Sequence, residues 1–185
     1  MPALLRTGKE ITEIYNRQVD TVYRICFSFM KNIPDTEDMV QETFLRMISS
    51  NTFFVSEEHE KAWLIVTASN LCRDTLKKWW RKTEDIDDPS LNLNTPPFEI
   101  DEVLDAIMKL PSDQKCVVYM YYYEGYSTLD IASYLHCPHA TVRERSVKIE
   151  NGKVTNNFQF RNLLFSHHHA SVASSCPPEC PCSSC

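Results

Sequence analysis

The chain has 185 residues, 43% of them hydrophobic and 24% charged, with a formal charge of −6. This is the balance of a soluble globular protein, not of one coated in basic patches. No apolar run approaches the ~18 residues of a membrane span, and residues 1–10 lack the apolar stretch of a secretory leader, so the expected location is the cytoplasm, with no membrane insertion.

Charge is unevenly distributed. Arg73, Lys77, Lys78, Arg81 and Lys82 crowd into one stretch, whereas residues 84–105 are strongly acidic. Nucleic-acid binding depends on such clustering more than on net charge. The eight cysteines do not form a disulfide framework: Cys26, Cys72, Cys116 and Cys137 lie in apolar helical patterns, where a thiol acts as a small hydrophobe, and the other four lie at the end of the chain.

Ile11, Tyr15, Val19, Val22, Cys26 and Met30 recur every three or four positions, which predicts a helix with one buried stripe. Asn32-Ile33-Pro34 breaks it, and Asp35 is expected to cap a second helix with Asp38 in its first turn. Val40, Phe44 and Ile48 form that helix's inner face; Glu37, Asp38, Gln41, Glu42 and Arg46 point elsewhere. Residues 51–56 read as a loop carrying Phe53 and Phe54. A third helix, about 58–82, buries Leu64, Ala68, Leu71, Cys72 and Thr75 ahead of its basic end; Trp63 is assigned to the core, and one of Trp79 and Trp80 packs inward.

Residues 83–98 carry aspartates, asparagines and prolines and read as a linker. Helical pattern resumes with Ile100, Val103, Leu104, Ile107 and Leu110, and Pro111-Ser112 opens a helix that holds Val117, Val118, Met120 and Tyr121 and ends at Gly125. Ser127 caps another helix, with Asp130 at its third position and Ile131 and Leu135 inward. His136-Cys137-Pro138 makes a turn, and Ala140-Thr141-Val142-Arg143 begins the last helix. No segment alternates with period two. The expected fold class is all-α: two small helical domains joined by a flexible acidic linker, with a helix-turn-helix in the second.

Residues 127–143 carry the strongest local signal. A capped helix, a tight turn and a second helix form a helix-turn-helix, with Ala132 small at the crossing and Ile131, Leu135 and Val142 filling the wedge. The second helix can lie in a major groove, bringing His139, Thr141, Arg143, Arg145 and Lys148 to base edges or phosphates, while Ser127 at a helix start can hold a phosphate. His136 stands in the turn where glycine is common.

With these blocks in view, the chain resembles the bacterial RNA polymerase sigma factors of the extracytoplasmic-function (ECF) type. Residues 35–45, Asp-Thr-Glu-Asp-Met-Val-Gln-Glu-Thr-Phe-Leu, are similar to the family's core-polymerase-binding helix. Ala62-Trp63-Leu64 followed by residues 68–74 resembles its promoter-melting, minus-ten-reading helix, and Leu110-Pro111 with the helix-turn-helix resembles its minus-thirty-five-reading module. The order and spacing of the three blocks also agree.

The resemblance implies a first domain at residues 1–83, a linker at 84–99, a second domain at 100–150 and a tail at 151–185. It implies core-polymerase contact by Asp35, Asp38, Gln41, Glu42, Phe44 and Leu45. It implies promoter-DNA contact by Asn70, Arg73, Lys77, Lys78, Trp79, Arg81 and Lys82, with Phe53 and Phe54 helping to hold an unpaired base. The implied partners are core RNA polymerase, promoter DNA and an anti-sigma factor. No catalytic residue, metal or cofactor is implied, because the polymerase performs the chemistry. The acidic linker is expected to thread the polymerase's RNA-exit path.

After Arg145 the family pattern fades, and Gly152 is expected to interrupt any helix. His167-His168-His169 and the terminal cysteines have spacings unlike a zinc site, so the tail reads as disordered. A sharper expectation is that the natural reading frame ends near Arg145 and the remainder comes from a frame shift or altered terminus. Two rival functions remain: a stand-alone helix-turn-helix regulator, which leaves residues 35–45 and the basic helix without a role, and a sigma-sequestering helical adaptor, which leaves the basic cluster unexplained.

Overall fold

The computed structural model describes residues 6–82 and 96–151; for positions 80–82 and 146–151 it describes the backbone alone. Most of the expected linker and all of the Cys/His-bearing tail from Gly152 lie outside the described residues.

Helix α1, Gly8–Met30, starts at a reciprocal cap: the Thr7 hydroxyl accepts the Glu10 N–H, and the Glu10 carboxylate accepts the Thr7 N–H at 2.7 Å. Helix α2, Ile33–Ser49, is capped by Asn32 rather than by Asp35: the Asn32 Oδ1 accepts the Asp35 N–H at 3.0 Å. Pro34 lies in the first turn, where its missing N–H costs nothing. The same three residues that end α1 therefore start α2. The buried face of α2 is Thr36, Val40, Thr43, Phe44 and Met47, while Ile48, expected inside, is 36% exposed at the rim because Met47 occupies the inner position. Helix α3, Glu57–Lys82, buries Ala62, Leu64, Ile65, Ala68, Leu71 and Cys72. Thr75 is only half-buried, its hydroxyl donating to the Met39 sulfur. Helices α1 to α3 pack on one another as a three-helix unit. Between α1 and α3, hydrogen bonding with Cys72 and burial push the Cys26 thiol well above its usual range, so these thiols act as packing groups.

In the second unit, α4 (Glu102–Met108) is capped by Asp101, whose carboxylate accepts the Leu104 N–H at 2.7 Å. Ile100 precedes the cap and is 38% exposed, so it lies outside the expected stripe. Helix α5, Ser112–Val118, continues into a π-helical turn, Tyr119–Tyr123, that the sequence pattern does not announce. Gly125 follows with φ of 77°, a conformation that favours glycine. Helices α6, Thr128–Tyr134, and α7, His139–Asn151, complete the unit. Helix α7 continues past Arg145 to Asn151, beyond the point where its apolar pattern fades. Among the described residues there is no strand.

The two units are not separate. Helices α4 and α5 lie on α1, helices α5 and α6 lie on α3, and one apolar cluster runs from Ile14 to Val142. At its centre is Lys115, 5% exposed, whose ammonium lies 5.2 Å from the Phe29 ring and donates to the Ser28 carbonyl of α1 and the Met108 carbonyl of α4. Burial first, and then the Lys31 charge, lowers its pKa from 10.5 to about 7, against a smaller opposing effect of Cys72.

A pH effect on stability follows. Lys115 stays charged up to about pH 10.5 in the unfolded chain but only up to about 7 in the folded one, so folding releases its proton between these values and its contribution is lost as pH falls toward 7. Between pH 7 and 9, where thiol ionisation is common to both proteins, wild type is expected to gain stability relative to Lys115→Met by up to about 1.4 kcal/mol per pH unit, measured by urea unfolding. A pH-independent difference would contradict the assignment.

Candidate nucleic-acid interface

The loop at residues 51–56 turns the chain from α2 into α3, and its two phenylalanines are treated differently. Phe53 is 71% exposed. Phe54 turns in, edge-on to Trp63 at 5.7 Å and to His59 at 5.8 Å. Arg6, just ahead of the α1 cap, braces the loop: its guanidinium donates to the carbonyls of Met47 and Thr52 and lies 4.6 Å over the Phe54 ring. Beside the loop is an open cleft of about 310 Å³ lined by Arg6, Glu10, Glu13, Ile14, Arg17, residues 51–54 and Glu60. Its floor is rigid. Glu60, 4% exposed, accepts from Arg17 Nη2 at 2.9 Å and from Gln18 Nε2 at 3.0 Å, so a buried carboxylate is paired and hydrogen-bonded. Residue-type counting misses Arg6, Arg17, Gln18 and Glu60. The Thr7-x-x-Glu10 spacing is the one sequence signal that places Arg6 at a helix start.

Helix α3 begins acidic, at Glu57, Glu58 and Glu60, and ends basic. Along its second half Asn70, Lys77, Lys78 and Trp79 are exposed, Trp79 at 39%. Arg73 is half-buried and donates to the Asn70 Oδ1 at 3.1 Å, so two of the residues expected at DNA are held together. Arg81 and Lys82 occupy the last turn of α3; their side chains fall outside the description.

In the helix-turn-helix, Ile131 and Val142 are fully buried between α6 and α7, with Ala132 9% exposed at the crossing; Leu135 is partly buried. His136 adopts φ of 48°, the left-handed conformation that explains why glycine suits this turn. The turn is closed by the Cys137 N–H donating to the Ala132 carbonyl and by a 2.8 Å hydrogen bond between Thr128 and His139. His139 therefore braces the two helices. Ser127 accepts the Asp130 N–H, and its hydroxyl donates to the Asp130 carboxylate at 2.6 Å, so its hydroxyl is engaged within its own helix start. Arg143 is exposed, Thr141 and Arg145 are partly buried, and the Lys148 side chain falls outside the description.

A second surface lies on α2. Asp38 and Gln41 are exposed, Glu42 pairs with Arg46 at 3.3 Å, and Leu45 is 57% exposed. Asp35 is drawn into the helix start, accepting from Asn32 Nδ2 at 2.6 Å. Phe44, expected to offer apolar docking area, is instead 6% exposed and packs on Tyr15 at 4.9 Å, because the inner stripe of α2 runs through it. Leu45 and Ile48 supply the exposed apolar area.

These features define a two-unit all-α protein, with an aromatic loop and basic helix end in one unit and a helix-turn-helix in the other. Residues 14–82 match the Sigma-70 region 2 family model, and residues 100–145 match the Sigma-70, region 4 model. The ECF RNA polymerase sigma-E factor of Haemophilus influenzae is 31% identical over 129 residues, covering 60% of this chain and 68% of that protein. ECF RNA polymerase sigma factor SigX of Bacillus subtilis is 25% identical over 157 residues, covering 74% and 79%. The co-crystal structure of sigma factor RpoE with anti-sigma factor NepR from Bartonella quintana aligns over 87% of this chain and 98% of that chain, with TM-score 0.58 and 19% identity, a likeness of fold. The chain belongs to the ECF RNA polymerase sigma factor family.

Arg6→Ala removes two charge-assisted hydrogen bonds from the loop. Amide exchange at residues 52–55 is expected to accelerate about tenfold or more, with exchange in the α3 interior unchanged. Unaltered loop exchange would show that Arg6 does not hold it.

Proposed function

We propose that this protein is the cytoplasmic subunit that gives bacterial core RNA polymerase its promoter selectivity, with residues 1–83 and 100–150 as the two reading domains and residues 84–99 as their tether. The observation that carries the reading is the presence, in one chain and in family order, of an acidic-apolar docking face, a basic helix end beside an aromatic loop, and a helix-turn-helix.

In this role α2 presents Asp38, Gln41, Glu42 and Leu45 to polymerase, joined by Ile48. The second half of α3 meets the minus-ten region: Lys77, Lys78, Arg81 and Lys82 neutralise phosphate, Asn70 and Arg73 reach DNA once their mutual hydrogen bond is exchanged, and Trp79 offers a stacking face. Phe53, the exposed aromatic beside the cleft, stacks on a base released from the duplex, while Phe54 holds the loop to Trp63. In the minus-thirty-five module Arg143 and Arg145, with Lys148 further along α7, contact bases and phosphates, Thr141 lies beside them, and His139 and Ser127 hold the helix-turn-helix in shape. Each module alone binds weakly; tethered on polymerase they engage both elements together, and effective concentration supplies affinity. The factor supplies binding and positioning; bond formation belongs to polymerase. An anti-sigma factor is the expected regulator, supported by the fold's likeness to a sigma factor solved with one.

The test is capture by core polymerase. Wild type is expected to bind stoichiometrically and Asp38→Arg/Glu42→Arg about tenfold or more weakly, since buried charge pairs at interfaces cost several kcal/mol to reverse. No capture of the folded wild type would favour the stand-alone helix-turn-helix regulator.

A further inference from the structure

The face of α7 turned away from the core carries a carboxylate that phosphate contact does not use. Val142 is fully buried and the helix turns about 100° per residue, so Ala140 and Glu144 lie on the opposite side, about 160° and 200° round. Both are exposed, as is Arg143 at their flank. The rotation of α7 is fixed at its start. Its first residue, His139, is hydrogen-bonded to Thr128 of α6 at 2.8 Å, and the Cys137 N–H closes the turn on the Ala132 carbonyl at 3.1 Å. A helix seated in a major groove on this face presents the Ala140 methyl and, one turn later, the Glu144 carboxylate to the base edges.

The chemistry of that position is restrictive. An ionised carboxylate only accepts hydrogen bonds, so phosphates and the acceptor edges of guanine and thymine repel it. The donors in the major groove are the N4 amino group of cytosine and the N6 amino group of adenine. Adenine sets its N7 lone pair beside that amino group, facing the second carboxylate oxygen; cytosine sets only a C–H there. Cytosine is therefore the base that a centred glutamate accepts from at least cost. Ala140 suits this contact, because its small side chain lets the helix approach the bases closely. Arg143, one position earlier, carries the complementary donors for the O6 and N7 of a guanine.

We propose that Glu144 is a specificity-determining residue of the minus-thirty-five module: it selects a cytosine by accepting from the N4 amino group and rejects the other bases at that position. This rests on the promoter-reading role above. The neighbouring cations add affinity on every sequence. Glu144 adds it only where an amino group faces it and subtracts it elsewhere, which turns a general attraction into a choice.

The experiment is transcription by core polymerase with the full chain on a pool of random-sequence linear duplexes, each barcoded in its transcribed part. Wild type is compared with Glu144→Ala and Glu144→Gln. Wild type is expected to start on templates whose upstream block holds one cytosine favoured about fivefold or more over every other base. Glu144→Ala should level that position alone, with mismatched templates at least as active as with wild type, because a repelled charge is gone. Glu144→Gln should move the preference to adenine, whose N6 and N7 a carboxamide engages together. Helical circular dichroism should be the same in all three proteins, since the substituted side chain is exposed. Identical base preferences in all three overturn the assignment. A uniform loss on every template in a folded variant also overturns it, marking Glu144 as a support of the helix. Starts that do not depend on the wild-type protein would strike the promoter-reading role itself, and the assignment with it.

Discussion

The structure depends on α1 being buried on two sides. One side, with Ile14, Val22, Cys26 and Met30, closes the three-helix unit against α2 and α3. The other, near Thr21, Arg24, Phe27 and Ser28, receives Tyr119 and Lys115 from the second unit and Phe98 from the segment just before it. A helix needs one stripe to hold a bundle together; the second stripe commits α1 to a partner. That partner is here the chain's own helix-turn-helix module. Its polar contacts with the first unit include hydrogen bonds to the Ser28 and Glu58 backbone carbonyls, the Lys61–Glu124 pair and a polar side-chain contact between Ser69 and Cys116.

The loop-and-cleft region follows a different logic, fixed where it supports and free where it reaches. The paired Glu60 and the Arg6 guanidinium fix the walls and the backbone, leaving Phe53 exposed at the edge. Basic charge then begins further along the same helix, so α3 has an acidic first turn and a basic end. A net charge of −6 is compatible with DNA binding because positive charge is concentrated in one stretch of the chain, residues 73–82.

Much of this was legible in the sequence. The three helices of the first unit, the helix-turn-helix and the Ser127 cap were readable because their apolar positions recur at helical spacing and their caps use side chains with a single physical purpose. The second face of α1 was not: from Ile25 to Met30 every residue is buried, so the contrast between faces on which periodicity depends disappears. Asn32 rather than Asp35 caps α2 because Pro34, which interrupts a helix interior, is tolerated in a first turn. The split of Phe44 from Leu45 and of Met47 from Ile48 turns on a fraction of a helical turn, which pattern alone does not resolve. Lys115 was missed because a lysine in an apolar run reads as a solvated edge until the carbonyls that receive it are brought there by another element.

The central claim is that this chain confers promoter selectivity through two tethered readers. It is tested most directly by sequencing the transcripts that core RNA polymerase starts on bacterial genomic DNA with and without the purified protein. The account predicts new start sites that share two upstream sequence blocks at a fixed separation. Start sites identical to those of core polymerase alone, or sites sharing a single block, would contradict it.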